Sequence, residues 1–89
     1  MFRLWAKEFK DNKQIKDITI NDIAKDKNRT KKIFDALDEV CYAFNLSRPV
    51  WLEKNISEFK RTDKTRFYQD NFIDSIEFDF LEIQVIEED

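Results

Sequence analysis

The stretch that decides the fold is Thr30–Phe44, TKKIFDALDEVCYAF. Ile33, Leu37, Val40, Cys41 and Phe44 recur every three or four residues, with Phe34 at the margin, while Asp35, Asp38 and Glu39 fall outside that stripe. This spacing predicts an amphipathic helix over about 30–44 with one apolar face. Asn28 or Thr30 is placed to cap its start, because a short side-chain oxygen there can accept an unpaired backbone N–H. At the other end Asn45 suits the left-handed position usually taken by glycine, with Leu46 folding back towards Cys41. Pro49 then holds Arg48 extended and bars any continuation of the helix.

On either side of this helix the apolar period is two. In residues 2–10, Phe2, Leu4 and Ala6 fall on one face, and Trp5 and Phe9 share the other with Arg3 and Lys7. Asp11-Asn12 supplies the residue types that best tolerate a positive φ, and a second strand over about 14–20 carries Ile18 and Ile20, so the pair reads as a hairpin. Residues 21–29 are polar and read as a loop. Beyond Pro49, Val50-Trp51-Leu52 reads as a short strand. Residues 55–61 read as a short helix with Ile56 and Phe59 inward and Asn55 near its cap, and Thr65–Tyr68 reads as another short strand. In residues 76–87, Ile76, Phe78 and Phe80 alternate in one phase and Leu81, Ile83 and Val85 in the other, which predicts a strand with a bulge near Phe80/Leu81. The expected fold is a single α+β domain over 1–89: a two-layer sandwich of a mostly antiparallel sheet of four to five strands, one main helix and one short one.

Composition removes several classes of function. The 89 residues contain no glycine and no histidine. Phosphate-cradling loops need backbone positions without a Cβ, so no P-loop or dinucleotide fingerprint can form. Without imidazole there is no histidine base, no histidine-activated nucleophile and no histidine metal ligand. The one cysteine, Cys41, lies on the apolar stripe of the helix and reads as a core residue, and a single thiol fits a reducing cytosol. No segment approaches the 18 apolar residues of a membrane span, and no signal-peptide pattern opens the chain, so a cytoplasmic protein with no membrane partner is expected. Asp74, Glu77, Asp79 and Glu82 lie close in sequence, but strand alternation places them on a solvated face, where no carboxyl gains the raised pKa of a general acid. No catalytic residue, metal site or cofactor is expected.

Charge is uneven. Residues 1–32 hold ten Lys/Arg against five Asp/Glu, and residues 33–89 hold six against fourteen, for −3 overall. Lys25, Lys27, Arg29, Lys31 and Lys32 lead into the main helix, whose free N–H groups favour an anion. Lys54, Lys60, Arg61, Lys64 and Arg66 form a second cluster interleaved with Phe59, Phe67 and Tyr68, a pattern suited to single-stranded nucleic acid. Trp5, Phe9 and Trp51 are large enough to anchor an interface.

Phe2-Arg-Leu-Trp-Ala-Lys7, Thr65-Arg-Phe-Tyr-Gln-Asp-Asn-Phe72 and the run from Asp79 to Asp89, together with Val40-Cys-Tyr42 and Arg48-Pro-Val-Trp-Leu52, resemble a family of small uncharacterised proteins of Firmicutes. The resemblance spans most of the chain and implies a cytoplasmic bacterial protein without an assigned activity. The leading expectation is a non-enzymatic protein-interaction or structural module that forms a homodimer, burying on the order of 1,200 Å² or more in total. The alternative is a nucleic-acid or anion binder using the clusters at 25–32 and 54–66.

Overall fold

The computed structural model describes residues 1–88. Among them run β1 (Phe2–Lys10), β2 (Lys13–Asp22), α1 (Arg29–Phe44), α2 (Glu53–Thr62), β3 (Lys64–Phe67), a 3-10 turn (Gln69–Asn71) and β4 (Phe80–Glu87). The strands form one sheet in the order β2-β1-β4-β3, with every neighbouring pair antiparallel. The chain is an α+β protein with the two expected helices.

Four described residues take positive φ: Asp11, Asn12, Asn45 and Asp63. All are Asp or Asn, the residues whose short polar side chains best tolerate that region. A chain without glycine thus makes its hairpin with Asp11-Asn12 and closes α1 with Asn45 and α2 with Asp63. At the start of α1 the Asn28 side chain accepts the N–H of Lys31 at 2.9 Å. At its end the N–H of Leu46 donates to the carbonyl of Cys41 at 2.8 Å, the fold-back expected of a left-handed helix stop.

The helices cover one face of the sheet. Phe2, Leu4, Ala6, Leu81, Ile83, Val85 and Phe67 point to it and bury against Ile33, Ala36, Leu37, Val40 and Cys41 of α1 and Phe59 of α2. Each fully buried Leu or Phe in such a layer contributes roughly 1.5–3 kcal/mol. Phe44 is only partly buried at the edge of this core, and Ile56, expected inward, is exposed.

One expected strand is absent and another is shorter than expected. Val50-Trp51-Leu52 is extended but pairs with no strand. Val50 is clasped instead by Asn71, donating its N–H to the Asn71 carbonyl at 2.6 Å and accepting the Asn71 side-chain amide at 2.8 Å. The clasp seats Trp51 among Phe34, Phe59 and Phe67, with ring centroids 5.1–5.8 Å apart. Residues 76–79 also lie outside the sheet, and β4 begins at Phe80. The phase change at Phe80/Leu81 is therefore not a bulge. It marks where loop residues packing on the core edge give way to strand. The real bulges lie elsewhere. Pairing jumps from Glu8↔Lys16 to Phe9↔Gln14 and from Arg3↔Glu87 to Leu4↔Val85, so Ile15 and Ile86 are extra residues, and both are exposed.

A buried polar network ties the loops to the helical layer. Asn55 is 1% exposed. Its oxygen accepts the N–H of Leu52 and the Asn71 amide, and its nitrogen donates to the Thr65 hydroxyl and the Arg66 carbonyl. Every donor and acceptor of the Asn55 side chain is used, which lets an amide sit in the core without a desolvation penalty.

Candidate binding surfaces

Among the described residues no helix covers the other face of the sheet. The strand register lays its side chains out in rows. One row reads Thr19–Trp5–Gln84–Lys64 and the next Asp17–Lys7–Glu82–Arg66, each running from β2 to β3. A third reads Gln14–Phe9–Phe80 and is extended by Tyr68, whose ring lies 5.3 Å from that of Phe80.

The middle row alternates in sign across the sheet. At its centre the Glu82 carboxylate takes Lys7 Nζ on one oxygen at 2.8 Å and Arg66 Nε on the other at 2.9 Å. Glu82 is 3% exposed. Sequence alternation placed it among solvated acids; instead it is buried between two cations and flanked by rings. Lys7 Nζ lies 3.8 Å from the centroid of Trp5, the Arg66 guanidinium 4.5 Å from that of Phe80, and Phe9 stacks on Phe80 at 5.0 Å. The Trp5 indole N–H donates to Asp17 at 2.8 Å. Burial pushes the Glu82 carboxyl up, but the hydrogen bonds from Lys7 and Arg66 outweigh it and hold the group below its ordinary value.

Of the three aromatic anchors read from the sequence, Trp5 and Phe9 lie on this face, half-buried. Trp51 does not join them. It packs on the opposite, helical side against the core, because the Asn71 clasp draws residues 50–52 inward.

The basic residues separate into distinct places. In the first cluster Lys27 bridges Asp22 and Asp35, Lys31 pairs with Asp35, and Arg29 pairs with Asp63 and Glu88. The hydrogen bonds to Asp35 and Asp22 push the Lys27 ammonium up; those from Lys31 and Lys27 hold Asp35 down. Lys25 and Lys32 line a shallow hollow with Met1 and Ile23. In the second cluster Lys60 faces an apolar cleft between α1 and α2, beside Phe34, Trp51 and Phe59. Arg61, Lys64 and Arg66 meet Lys54 along a cleft of about 320 Å³ at the outer edge of β3. That edge is already capped by α2: the Arg66 carbonyl accepts from Asn55 and the Lys64 carbonyl from the Thr62 hydroxyl.

Two buried groups outside these surfaces have raised pKa values. Burial, opposed by Lys16, pushes the Glu8 carboxyl up. Glu8 is 2% exposed, lies 3.7 Å from Lys16 and borders a hollow with Phe44, Ile76 and Phe78. Burial, followed by the nearby Asp38, pushes the Cys41 thiol up to about 11, the reverse of what a nucleophile needs. Among the described residues no group of His, Cys, Asp or Glu is arranged to hold a metal, and no helix is long and apolar enough to cross a membrane. No family model, curated protein or solved structure matches the chain.

Proposed function

We propose that this protein is a non-enzymatic interaction module that associates with a second copy of itself through the helix-free face of its sheet. The observation that carries the reading is the sign order of the row Asp17–Lys7–Glu82–Arg66, which is its own complement. Turn a second sheet over about a two-fold axis running along the strands between β1 and β4. The row then meets its copy in reverse, so that Asp17 faces Arg66 of the second copy and Lys7 faces Glu82. The same rotation lays Phe9 over Phe80. An isologous two-fold contact requires such self-complementarity, and sheets packed face to face lie about 10 Å apart with strands near alignment.

Four strands about 4.8 Å apart offer a few hundred square ångströms per copy. That is less than the sequence reading expected and belongs to the class of weak, concentration-dependent contacts. Sedimentation over a dilution series from submillimolar to low micromolar tests it. The mass should fall from twice 10.9 kDa towards 10.9 kDa across the series. Asp17→Lys, on an exposed edge strand, should keep the fold by thermal melting and remain monomeric throughout. A wild-type mass of 10.9 kDa at every concentration, or an Asp17→Lys dimer as tight as the wild type, rules the reading out.

A further inference from the structure

The cleft at the outer edge of β3 adjoins the sheet face and shares Lys64 and Arg66 with it, but most of its charge is not consumed. Of its lining cations, Arg66 is paired with Glu82. Lys54, Arg61 and Lys64 have no ion-pair partner among the described residues, although most cations of the first cluster do. The cleft has one carboxylate, Glu58, and one of its oxygens already accepts the Thr65 hydroxyl at 2.8 Å. Three unpaired cations against one acid leave a local charge of +2 in a chain whose net charge is −3.

The cations are arranged to converge. Lys54 and Arg61 are seven residues apart on α2, about two turns, and so share one helix face. Lys64 and Arg66 are two apart on β3 and share one strand side. Both pairs line the cleft, with the exposed Tyr68 ring beside them, 5.6 Å from Lys54 Nζ. Because the hydroxyls of Thr62 and Thr65 are spent on internal hydrogen bonds, the donors left for a ligand are the ammonium and guanidinium groups.

We propose that this cleft binds a phosphate monoester, with Arg61 supplying a bidentate fork and Lys54 and Lys64 flanking charge. Charge matching selects the class. A phosphate monoester carries between −1.5 and −2 near pH 7, matching the +2, whereas a carboxylate or a nucleic-acid phosphodiester offers one negative charge per group. Arginine and carboxylate or phosphate oxygens form the strong, charge-assisted bonds that such a site needs. The monoester can be a free metabolite or a phosphorylated side chain, since both present the same dianion.

The test is an NMR titration of the isotope-labelled full chain at constant ionic strength with phenyl phosphate, a phosphoserine peptide, its glutamate counterpart and a short oligouridylate. Phenyl phosphate should shift the amides of residues 54–68. Arg61→Ala should weaken its binding about tenfold, and Lys60→Ala, outside the cleft, should leave it unchanged. Affinity should drop as pH falls through about 6, where the monoester takes up its second proton. The charged and titratable groups that face the ligand are Lys54, Glu58, Arg61, Lys64, Arg66 and Tyr68. Comparable binding of phenyl phosphate and phosphopeptide supports the site with either source, and preference for one names the source. Equal binding of the glutamate peptide, tighter binding of oligouridylate than of the monoesters, no response to pH, or no shifts in residues 54–68 overturns it.

Discussion

The basic residues at 25–32 and at 54–66 look alike in sequence, five cations each within a short span, but the fold treats them differently. The first group is brought against acids from three parts of the chain: Asp22 and Asp35 nearby, Asp63 and Glu88 from far away. Its cations fasten the start of α1 to the rest of the molecule. In the second group, among the described residues, only Arg66 is fastened, to Glu82, while Lys54, Arg61 and Lys64 line one cleft without ion-pair partners. A basic run is therefore a structural clamp or an open cationic surface according to which acids the topology delivers to it, and the run itself does not say which.

Substitutions can break this contrast, and the largest effect is expected at Glu82. Glu82→Gln removes the acid that Lys7 and Arg66 share and leaves Lys7 buried and uncompensated. It should cost about 3 kcal/mol in urea denaturation at neutral pH; a loss under 1 kcal/mol would show that the row Asp17–Lys7–Glu82–Arg66 is solvated. Glu8→Gln should act in the opposite direction, stabilising by roughly 0.5–1 kcal/mol at pH 7, because the buried carboxylate is held charged at a cost.

The two acids also give opposite pH dependences. Glu82 lies below its ordinary value of 4.5, so its contribution is complete above that value and is lost as pH falls through its folded value. Glu8 lies above 4.5, so the native state holds its proton more tightly, and its contribution fades as pH rises from 4.5 through its folded value. The gain in Glu8→Gln should accordingly shrink as pH falls through the folded value towards 4.5 and vanish below it, and a gain independent of pH would contradict the assignment.

Smaller effects sharpen the comparison of the clusters. Arg29→Ala loses two partly exposed ion pairs and should cost about 0.5–1 kcal/mol, an effect weakened by salt. Arg61→Ala and Lys54→Ala should change stability by no more than about 0.5 kcal/mol, because neither has an ion-pair partner among the described residues to lose. Equal destabilisation by Arg29→Ala and Arg61→Ala in thermal melts would erase the distinction between clamp and site.

Local signals made much of this fold readable. The helical period of Ile33, Leu37, Val40 and Cys41, the alternation in β1, and the Asp11-Asn12 and Asn45 turns each follow from chemistry within a few residues. Contacts set by topology were not readable. Val50-Trp51-Leu52 has the composition of a strand, but no strand lies beside it, and the clasp that holds it comes from Asn71. Alternation read Glu82 as a solvated acid opposite Phe80; it shares the face of Phe80 and is buried there, because Lys7 and Arg66 reach it sideways from β1 and β3. Trp51 was grouped with Trp5 and Phe9 by size alone, and only the layer order separates them. In the second basic cluster, Arg61, Lys64 and Arg66 converge because β3 follows α2 after a single left-handed residue, Asp63, a signal available in the sequence as an aspartate between helix and strand.

The central claim is that two helix-free faces meet about an axis along the strands, which places Thr19 of one copy over Lys64 of the other. Mixing Thr19→Cys and Lys64→Cys proteins with a short bis-maleimide tests this most directly, since the native thiol, Cys41, is buried and reacts slowly. The face-to-face arrangement predicts that cross-linked species are dominated by the mixed 19–64 product and disappear in the Asp17→Lys background. Predominant 19–19 or 64–64 products, or no cross-linking at concentrations where the wild type is loaded as a dimer, would contradict it.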